Sequence, residues 1–222
     1  ADLTGADLTN INFTGADLTD AILTGTNLTG TDLTNATLNL VQSGGITGTP
    51  HALPQHWQLI NDYLVGPGAD LTGATLTGAS LPFAPLQGAT LTNADLTHAY
   101  LFHADLTNAD LRGAILDNTN LWNATLTNAV LINAELTDVS MLDADLTNTD
   151  FTGVTLSGDV YFTNTQLSGV SSGGMTGTPS MLPTDWKFTN GYLVGPHANL
   201  MGANLAGADL AGADLTAVNL AE

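Results

Sequence analysis

The side chains of this chain that could do acid–base or metal chemistry are five histidines and 21 acidic residues, and no cysteine accompanies them. The histidines are His51, His56, His98, His103 and His197. Their spacing fits no zinc motif, and no set of nucleophile and base surrounds them. Neighbouring carboxylates such as Asp143 and Asp145 could bind calcium loosely. The sequence therefore predicts no catalytic residue, no cofactor and no dedicated metal site.

The charge of the chain is one-sided. One lysine, Lys187, and one arginine, Arg112, face 21 acids, which gives a formal net charge of -19 and a pI near 4.1. Such a surface repels nucleic acid and anionic lipid, so we expect no direct nucleic-acid binding. The apolar fraction of 43% argues against a disordered acidic tail. No apolar run approaches the roughly 20 residues that a membrane-spanning helix needs.

The sequence repeats with a period of five residues, and this repeat determines where the acidic and histidine side chains lie. One large apolar residue recurs every five positions, from Leu3 to Leu38, from Leu71 to Leu156 and from Leu200 to Leu220, and a small residue stands two positions before it. This period matches neither the alternation of a strand nor the 3.6-residue turn of a helix, so it indicates a stacked repeat. We expect the large and small positions to face inward and the other three to face water.

The repeat unit, Ala-Asp-Leu-Thr-Gly at residues 1–5 and Ala-Asp-Leu-Thr-Ala at residues 213–217, resembles the consensus of pentapeptide repeat proteins, Ala-(Asp/Asn)-Leu-X-X. The resemblance extends over all three blocks. It implies an all-β fold, a right-handed quadrilateral β-helix in which four repeats form one square coil of 20 residues. With coils about 4.8 Å apart, about eight coils would form a rod about 40 Å long.

Two segments interrupt the period, and their sequences are related. The first insert (residues 43–71) and the second insert (172–200) share 18 of 29 residues at an offset of 129. We therefore expect one continuous solenoid of three repeat blocks, 1–42, 72–171 and 201–222, separated by the two inserts. Asn190-Gly191 is a strong hairpin signal, and Asn61-Asp62 is its weaker counterpart.

The inserts carry aromatic residues at equivalent positions: Trp57, Tyr63, Trp186 and Tyr192. We expect these side chains to lie against the rod and bury apolar surface. The alternative is a ligand pocket lined by each tryptophan and tyrosine. A separate break follows Leu156, after which the period resumes one residue late at Leu167, so we expect a bulge or loop at residues 158–161.

An apolar column is predicted on one outer face of the rod. Residues 20 apart stack in successive coils, which places on one face the residues Pro82, Phe102, Trp122, Leu142 and Phe162. Phe83 and Tyr100 belong to the same face, whereas in the second block the acids that directly precede the large apolar residue fall on the other three faces: Asp70, Asp95, Asp105, Asp110, Glu135, Asp145 and Asp150. Exposed patches of this kind usually mark a contact surface. The alternative is that an insert or a terminal segment covers the column.

Two functions are compatible with these features. The first is a non-enzymatic structural or interaction scaffold with an unknown protein partner, which stacks head to tail into filaments because open solenoid ends template further chains. The alternative follows from the resemblance: some pentapeptide repeat proteins mimic duplex DNA and bind DNA gyrase, a type II topoisomerase, through acidic faces. Those members dimerise through a capped C-terminal end, whereas this chain ends without a capping helix. The absence of an initial methionine and of cysteine favours export over a cytoplasmic location.

Overall fold

The structure, a computed structural model, describes residues 1–220, and its backbone winds as a stack of coils. Parallel β-bridges join residues that lie 20 apart in sequence, such as Thr90 with Asp110 and Asp110 with Val130. Most bridges are single residues because the chain turns after every repeat. Where pairing extends further, strands β3 (Glu135–Thr137) and β4 (Thr155–Ser157) lie parallel. The described chain contains no helix.

Each repeat contains its own turn. In a representative repeat, the Asp95 carboxylate accepts a 2.9 Å hydrogen bond from the backbone N–H of Thr97. The corner residue His98 follows with a φ of 58°, and the N–H of Ala99 donates to the carbonyl of Leu96 at 2.8 Å. Asp and Asn suit the first of these positions because their side chains bond to backbone two residues on.

The interior is filled as the period predicts. From Leu71 to Phe151 the large residue of every repeat is at most 1% exposed, and the small residue before it is likewise buried. In several repeats a threonine replaces the small alanine. Each of these hydroxyl groups donates to a backbone carbonyl, as Thr119 does to Leu96 and Thr149 does to Leu126, so no buried polar group is left unsatisfied there.

Each insert contains an antiparallel hairpin. In the first insert, β1 (Gln58–Ile60) pairs with β2 (Tyr63–Val65), and in the second insert β5 (Lys187–Thr189) pairs with β6 (Tyr192–Val194). Both two-residue turns have positive φ throughout: 47° and 63° at Asn61 and Asp62, and 51° and 77° at Asn190 and Gly191. This is the conformation that matches the twist of a hairpin.

The hairpins fill the core between successive repeat blocks. Leu64 and Leu193 are completely buried. The half-buried Trp57 packs against the core of the first block and that of the second, and Trp186 packs against the core of the second and that of the third. The tryptophans therefore contact the cores of neighbouring parts of the solenoid.

Equivalent hydrogen bonds tie both hairpins to the coil that follows. The Tyr63 hydroxyl accepts from the backbone N–H of Thr75 at 3.1 Å, and the Tyr192 hydroxyl accepts from that of Asn204 at 3.2 Å. The turn residue Asn61 donates its amide to the carbonyl of Thr77, as Asn190 does to the carbonyl of Ala206. Each hairpin thus provides polar partners to a coil.

A bulge accommodates the late return of the period. Ser157 still pairs in the 20-residue register with Thr137, but the next bridge joins Ser140 to Tyr161. Residues 158–160 therefore lie opposite only two residues of the coil below. The shift turns Phe162 inward, where it is completely buried and packs edge to face on Phe151 at 5.8 Å. The expectation that Phe162 continues the outer column is wrong, because the extra residue moves it into the large interior position.

Candidate interaction surface

The structure brings the remaining predicted column residues to one side of the rod. We call this surface the ladder face and define it by Pro82, Phe83, Tyr100, Phe102, His103, Trp122 and Leu142. Parallel bridges from Ser80 through Tyr100 and Asn120 to Ser140 fix the vertical order of its coils. The backbone of the solenoid therefore sets the spacing of these side chains.

The rings of the ladder face contact one another. Phe102 lies at the centre, with its ring centroid 5.7 Å from that of Phe83, 5.9 Å from that of Tyr100 and 5.6 Å from that of Trp122. The His103 imidazole stacks almost parallel on Phe83, 5.2 Å away. Aromatic pairs at these distances attract each other. The rings thus form one preassembled cluster rather than separate exposed side chains.

The indole of Trp122 is oriented by a carboxylate from the next coil. Its Nε1–H donates to Oδ2 of Asp143 at 3.1 Å, and both residues are exposed. The N–H of Trp122 also donates to the side chain of Asn120 at 2.9 Å, as in the other repeat turns. The ladder face consequently combines aromatic ring faces with a negative charge at its edge.

The backbone at Phe83 is unusual for an aromatic residue. Its φ is 58°, in the left-handed region, at the corner position that glycine and asparagine usually occupy in this chain. A bulky side chain in this region costs about 1–2 kcal/mol. Phe83 is nevertheless 66% exposed, so little burial offsets the strain.

The ladder face is open to solvent. Tyr100 is 42% and Trp122 is 44% exposed. The hairpin of the first insert bonds instead to Thr75 and Thr77, on another side of the coil. No segment within residues 1–220 covers the cluster, so the alternative of a covering insert does not apply to the described chain.

The acids are built into the repeat turns. Hydrogen bonds from the Thr97 hydroxyl and backbone N–H hold the pKa of Asp95 below its ordinary value, and the same pair of bonds from Thr4 lowers the pKa of Asp2. At Asp105 burial raises the pKa, but bonds from Thr107 and Gln87 together outweigh it and the net shift is downward. These carboxylates are therefore ionised at neutral pH.

The turn itself does not require a negative charge. Asn12 accepts from the N–H of Thr14 at 2.8 Å and Asn27 from that of Thr29 at 3.1 Å, in the same geometry as the aspartates. A neutral amide therefore serves the repeat equally well. The excess of aspartate over asparagine at these positions is a property of the surface rather than a demand of the fold.

The histidines are all exposed, and several occupy left-handed corners, including His98 and His103. In the part of the chain that the structure describes, no group of three or more histidine and acidic residues is arranged to hold a metal ion. A surface groove of about 320 Å³ lies elsewhere, with Leu40 beside two carboxylates, Asp20 and Asp70. Gln42, Ile22 and Thr90 complete its lining.

Sequence reasoning missed parts of the ladder face. His103 and Asp143 occupy corner positions, and the pairing of Asp143 with Trp122 depends on a contact 21 residues away. The strain at Phe83 had a visible signal, since phenylalanine stands where other repeats have glycine or asparagine. The predicted insert aromatics, in contrast, lie between core clusters and away from the ladder face.

The repeats identify the family. A family model described as "Pentapeptide repeats (8 copies)" matches the chain over residues 1–39, 67–93, 84–118, 114–153 and 197–222. The chain belongs to the pentapeptide repeat family. Membership confirms the resemblance seen in the sequence and implies a right-handed β-helix, in agreement with the stack of parallel bridges.

Solved structures of the family are similar to this chain. One, from the Arabidopsis thaliana thylakoid lumen, is 32% identical over 38% of this chain and 66% of its own, with a TM-score of 0.26. HetL, involved in heterocyst differentiation regulation in the cyanobacterium Nostoc, is 24% identical over 99% of this chain and 85% of its own, with a TM-score of 0.23. Full-length QnrB1, a plasmid-mediated fluoroquinolone resistance protein, is 17% identical over 99% and 91%, with a TM-score of 0.27.

No curated protein matches the sequence. The family assignment therefore rests on the repeats. Residues 1–220 include no helix with the length and hydropathy to cross a membrane.

Proposed function

We propose that this protein is a non-enzymatic interaction scaffold that binds a protein partner through the ladder face. In this proposal the chain is one rod of about eight square coils, built from the repeat blocks 1–42, 72–171 and 201–222. The inserts 43–71 and 172–200 join these blocks. The observation that carries the proposal is Phe83, an exposed aromatic residue held at a φ of 58°.

The apolar residues of the chain differ in how much they contribute to the stability of the fold. The large residues of the repeats and the hairpin tryptophans bury surface and stabilise the rod. Phe83 and Trp122 are 66% and 44% exposed, and Phe83 adds backbone strain. Strained, exposed aromatic residues that cluster on one face are a poor choice for stability and a good choice for a contact surface.

Differential capture tests the proposal. The immobilised wild-type protein is compared with the variant Phe83→Asn/Phe102→Thr/Trp122→Thr, in which each new residue is the one common at that position in other repeats. A control variant, Asp20→Asn, alters a corner away from the ladder face. We expect a protein from the source organism that the wild type and the control retain and the ladder variant loses. Equal retention by all three proteins would remove the ladder face as the binding surface.

Head-to-tail assembly stays a prediction. The ladder of hydrogen bonds between stacked coils is made by backbone groups, as in the bond of 2.8 Å from the N–H of Asn93 to the carbonyl of Arg112, and every coil offers such groups to a coil of the same shape. Light scattering and electron microscopy of concentrated protein test it. Filaments that lengthen with concentration support assembly, and a monomer at every concentration and ionic strength contradicts it.

A second candidate function is a DNA mimic that binds a type II topoisomerase such as DNA gyrase. The observation that favours it is the surplus charge of -19, carried by aspartates whose turn role asparagine also performs. A supercoiling assay with purified gyrase tests it. Inhibition that disappears when surface aspartates become asparagines supports the mimic, whereas full supercoiling activity at all protein concentrations rejects it.

A further inference from the structure

We infer that the ladder face takes an arginine-bearing segment of its partner, and that Trp122 and Asp143 together form the site for one guanidinium group. This inference rests on the proposed function and adds the chemistry of the partner. In the arrangement that we envisage, the guanidinium lies on the exposed face of the indole and donates hydrogen bonds to the carboxylate of Asp143.

The geometry of the two side chains fits a planar cation. The 3.1 Å bond from Trp122 Nε1 to Asp143 Oδ2 fixes the indole beside the carboxylate, and Trp122 as a whole is 44% exposed. A cation above an indole face is attracted to the π-electrons, and a guanidinium both stacks on the ring and donates several hydrogen bonds to a carboxylate. A lysine ammonium matches only part of this pattern.

The neighbouring rings extend the site. Phe102 contacts Trp122 edge to face at 5.6 Å, and Tyr100 stacks on Phe102 at 5.9 Å. These rings present apolar surface on which the methylene groups of an arginine and adjoining apolar side chains can pack. The ring cluster is already assembled, so binding needs little further ordering of these side chains.

The negative charge of the whole chain favours a partner segment with positive charge. A surface with a formal net charge of -19 attracts a basic segment and repels an acidic one at long range. The two basic side chains of the chain do not belong to the ladder face: Arg112 pairs with Asp110 at 3.4 Å, and Lys187 lies in β5. A second copy of the chain brings the same strong negative charge, which opposes face-to-face pairing.

Peptide titrations test the inference on the full chain. Labelled peptides of alternating glycine and arginine, glycine and lysine, and glycine and glutamate are titrated, with anisotropy as the global readout. The indole N–H resonance of Trp122 in a two-dimensional NMR spectrum is the local readout. We expect the arginine peptide to bind about threefold or more tightly than the lysine peptide, to shift this resonance and to bind less tightly as salt rises, whereas the glutamate peptide does not bind.

Two variants and one matched control locate the binding. Asp143→Asn keeps an acceptor for Trp122 and a residue that tolerates the φ of 56° but removes the charge. Trp122→Thr removes the ring and installs the residue common at this position. Asp20→Asn makes the same charge change at another corner with a φ of 56°. We expect each ladder variant to weaken binding of the arginine peptide about threefold and the control to leave it unchanged.

Specific results would overturn the inference. Equal affinity for the arginine and lysine peptides, or equal losses in Asp143→Asn and Asp20→Asn, would show diffuse attraction without a guanidinium site. A wild-type dimer that Trp122→Thr abolishes would make a second copy the occupant. If differential capture succeeds while the arginine peptide fails, the scaffold function stands and the partner has another chemistry.

Discussion

At the scale of single residues, Phe83 is the clearest case of a side chain that contributes little to the stability of the fold and is exposed on the surface. Its left-handed backbone costs about 1–2 kcal/mol, and its contacts with Phe102 and His103, at about 0.5 kcal/mol each for a mostly exposed ring, offset about 1 kcal/mol of that. Asparagine suits this corner because it adopts the left-handed conformation readily. The proposed binding function accounts for a phenylalanine at this corner, whereas the needs of the fold do not.

We predict that Phe83→Asn stabilises the protein slightly, by roughly 0.5 kcal/mol, because relief of strain exceeds the loss of exposed ring contacts. The reverse change, Asn35→Phe, introduces the strain at an exposed corner with a φ of 56° and no aromatic neighbours, and should destabilise by about 1–2 kcal/mol. Thermal unfolding measures both. A clear loss of stability in Phe83→Asn would show that the ring serves the fold.

The aspartates of the turns predict a pH dependence. Hydrogen bonds from Thr97 lower the pKa of Asp95 below the ordinary value of 3.8 in the folded protein. A lowered folded pKa contributes stability that is present above that ordinary value and is lost as the pH falls through the folded pKa. The free energy of unfolding that these bonds contribute should therefore decrease on acidification below about pH 4.

Asparagine provides the matched comparison, because it accepts the same backbone bond without titrating. We predict that a variant with asparagine at Asp2, Asp17, Asp32 and Asp95 loses less stability than the wild type between about pH 5 and pH 2.5. Chemical denaturation across this range measures the difference. Parallel pH profiles for the two proteins would mean that the bonds to the carboxylates contribute nothing.

Much of the residue pattern was readable from the sequence. The inward positions followed from the period, and Phe102 and Trp122 lie where the 20-residue spacing put them. Phe162 does not, because one extra residue in the bulge exchanges outer and inner positions. The sequence pattern shows that the repeat resumes one residue late after Leu156. Only the hydrogen bonds of the structure show which residues of the two coils remain unpaired there.

At the scale of elements, the hairpins join the solenoid across its interruptions. Trp57 packs against two core clusters, and Tyr63 and Asn61 bond to the coil that follows. The second insert repeats this arrangement with Trp186, Tyr192 and Asn190. The shared sequence of the inserts is thus explained by a shared structural role.

We predict that Trp57→Ala destabilises the protein by about 3 kcal/mol and loosens residues 1–42 relative to the rest. Trp122→Ala is the matched control, because it removes the same side chain from the surface and should cost clearly less, about 1–1.5 kcal/mol for its contact with Phe102 and its bond to Asp143. Hydrogen exchange of the first-block amides and thermal unfolding measure the two effects. Similar losses in both variants would contradict the assigned roles.

The sequence indicated the hairpins but not their packing. Asn190-Gly191 and Asn61-Asp62 marked the turns, and both form with positive φ. The position of the aromatic side chains, on the side of the rod or within it, depends on contacts with the coils below and above. The local sequence pattern does not contain these contacts, which form when Leu64 and Leu193 enter the core.

At the scale of the whole molecule, the repeat provides a regular support. On one face, the ladder face, aromatic residues replace the threonine, glycine and asparagine of the other repeats. Acidic turns cover the other sides with charge, and the ladder face presents aromatic rings with Asp143 at their edge. The family was recognisable from the repeated Ala-Asp-Leu motif, and that resemblance implied the β-helix. The partner cannot be read from the period, since a regular scaffold supports many different surfaces.

Site-specific photo-crosslinking tests the central claim that the ladder face is the binding surface. A benzophenone-bearing phenylalanine analogue replaces Phe83, where the native residue is already aromatic, exposed and left-handed, and in a control protein it replaces Asp20, an exposed left-handed corner that does not border the ladder face. Irradiation in cells of the source organism should yield one discrete protein adduct from position 83 and none from position 20. Absence of an adduct at position 83, or the same adducts from both positions, would contradict the account.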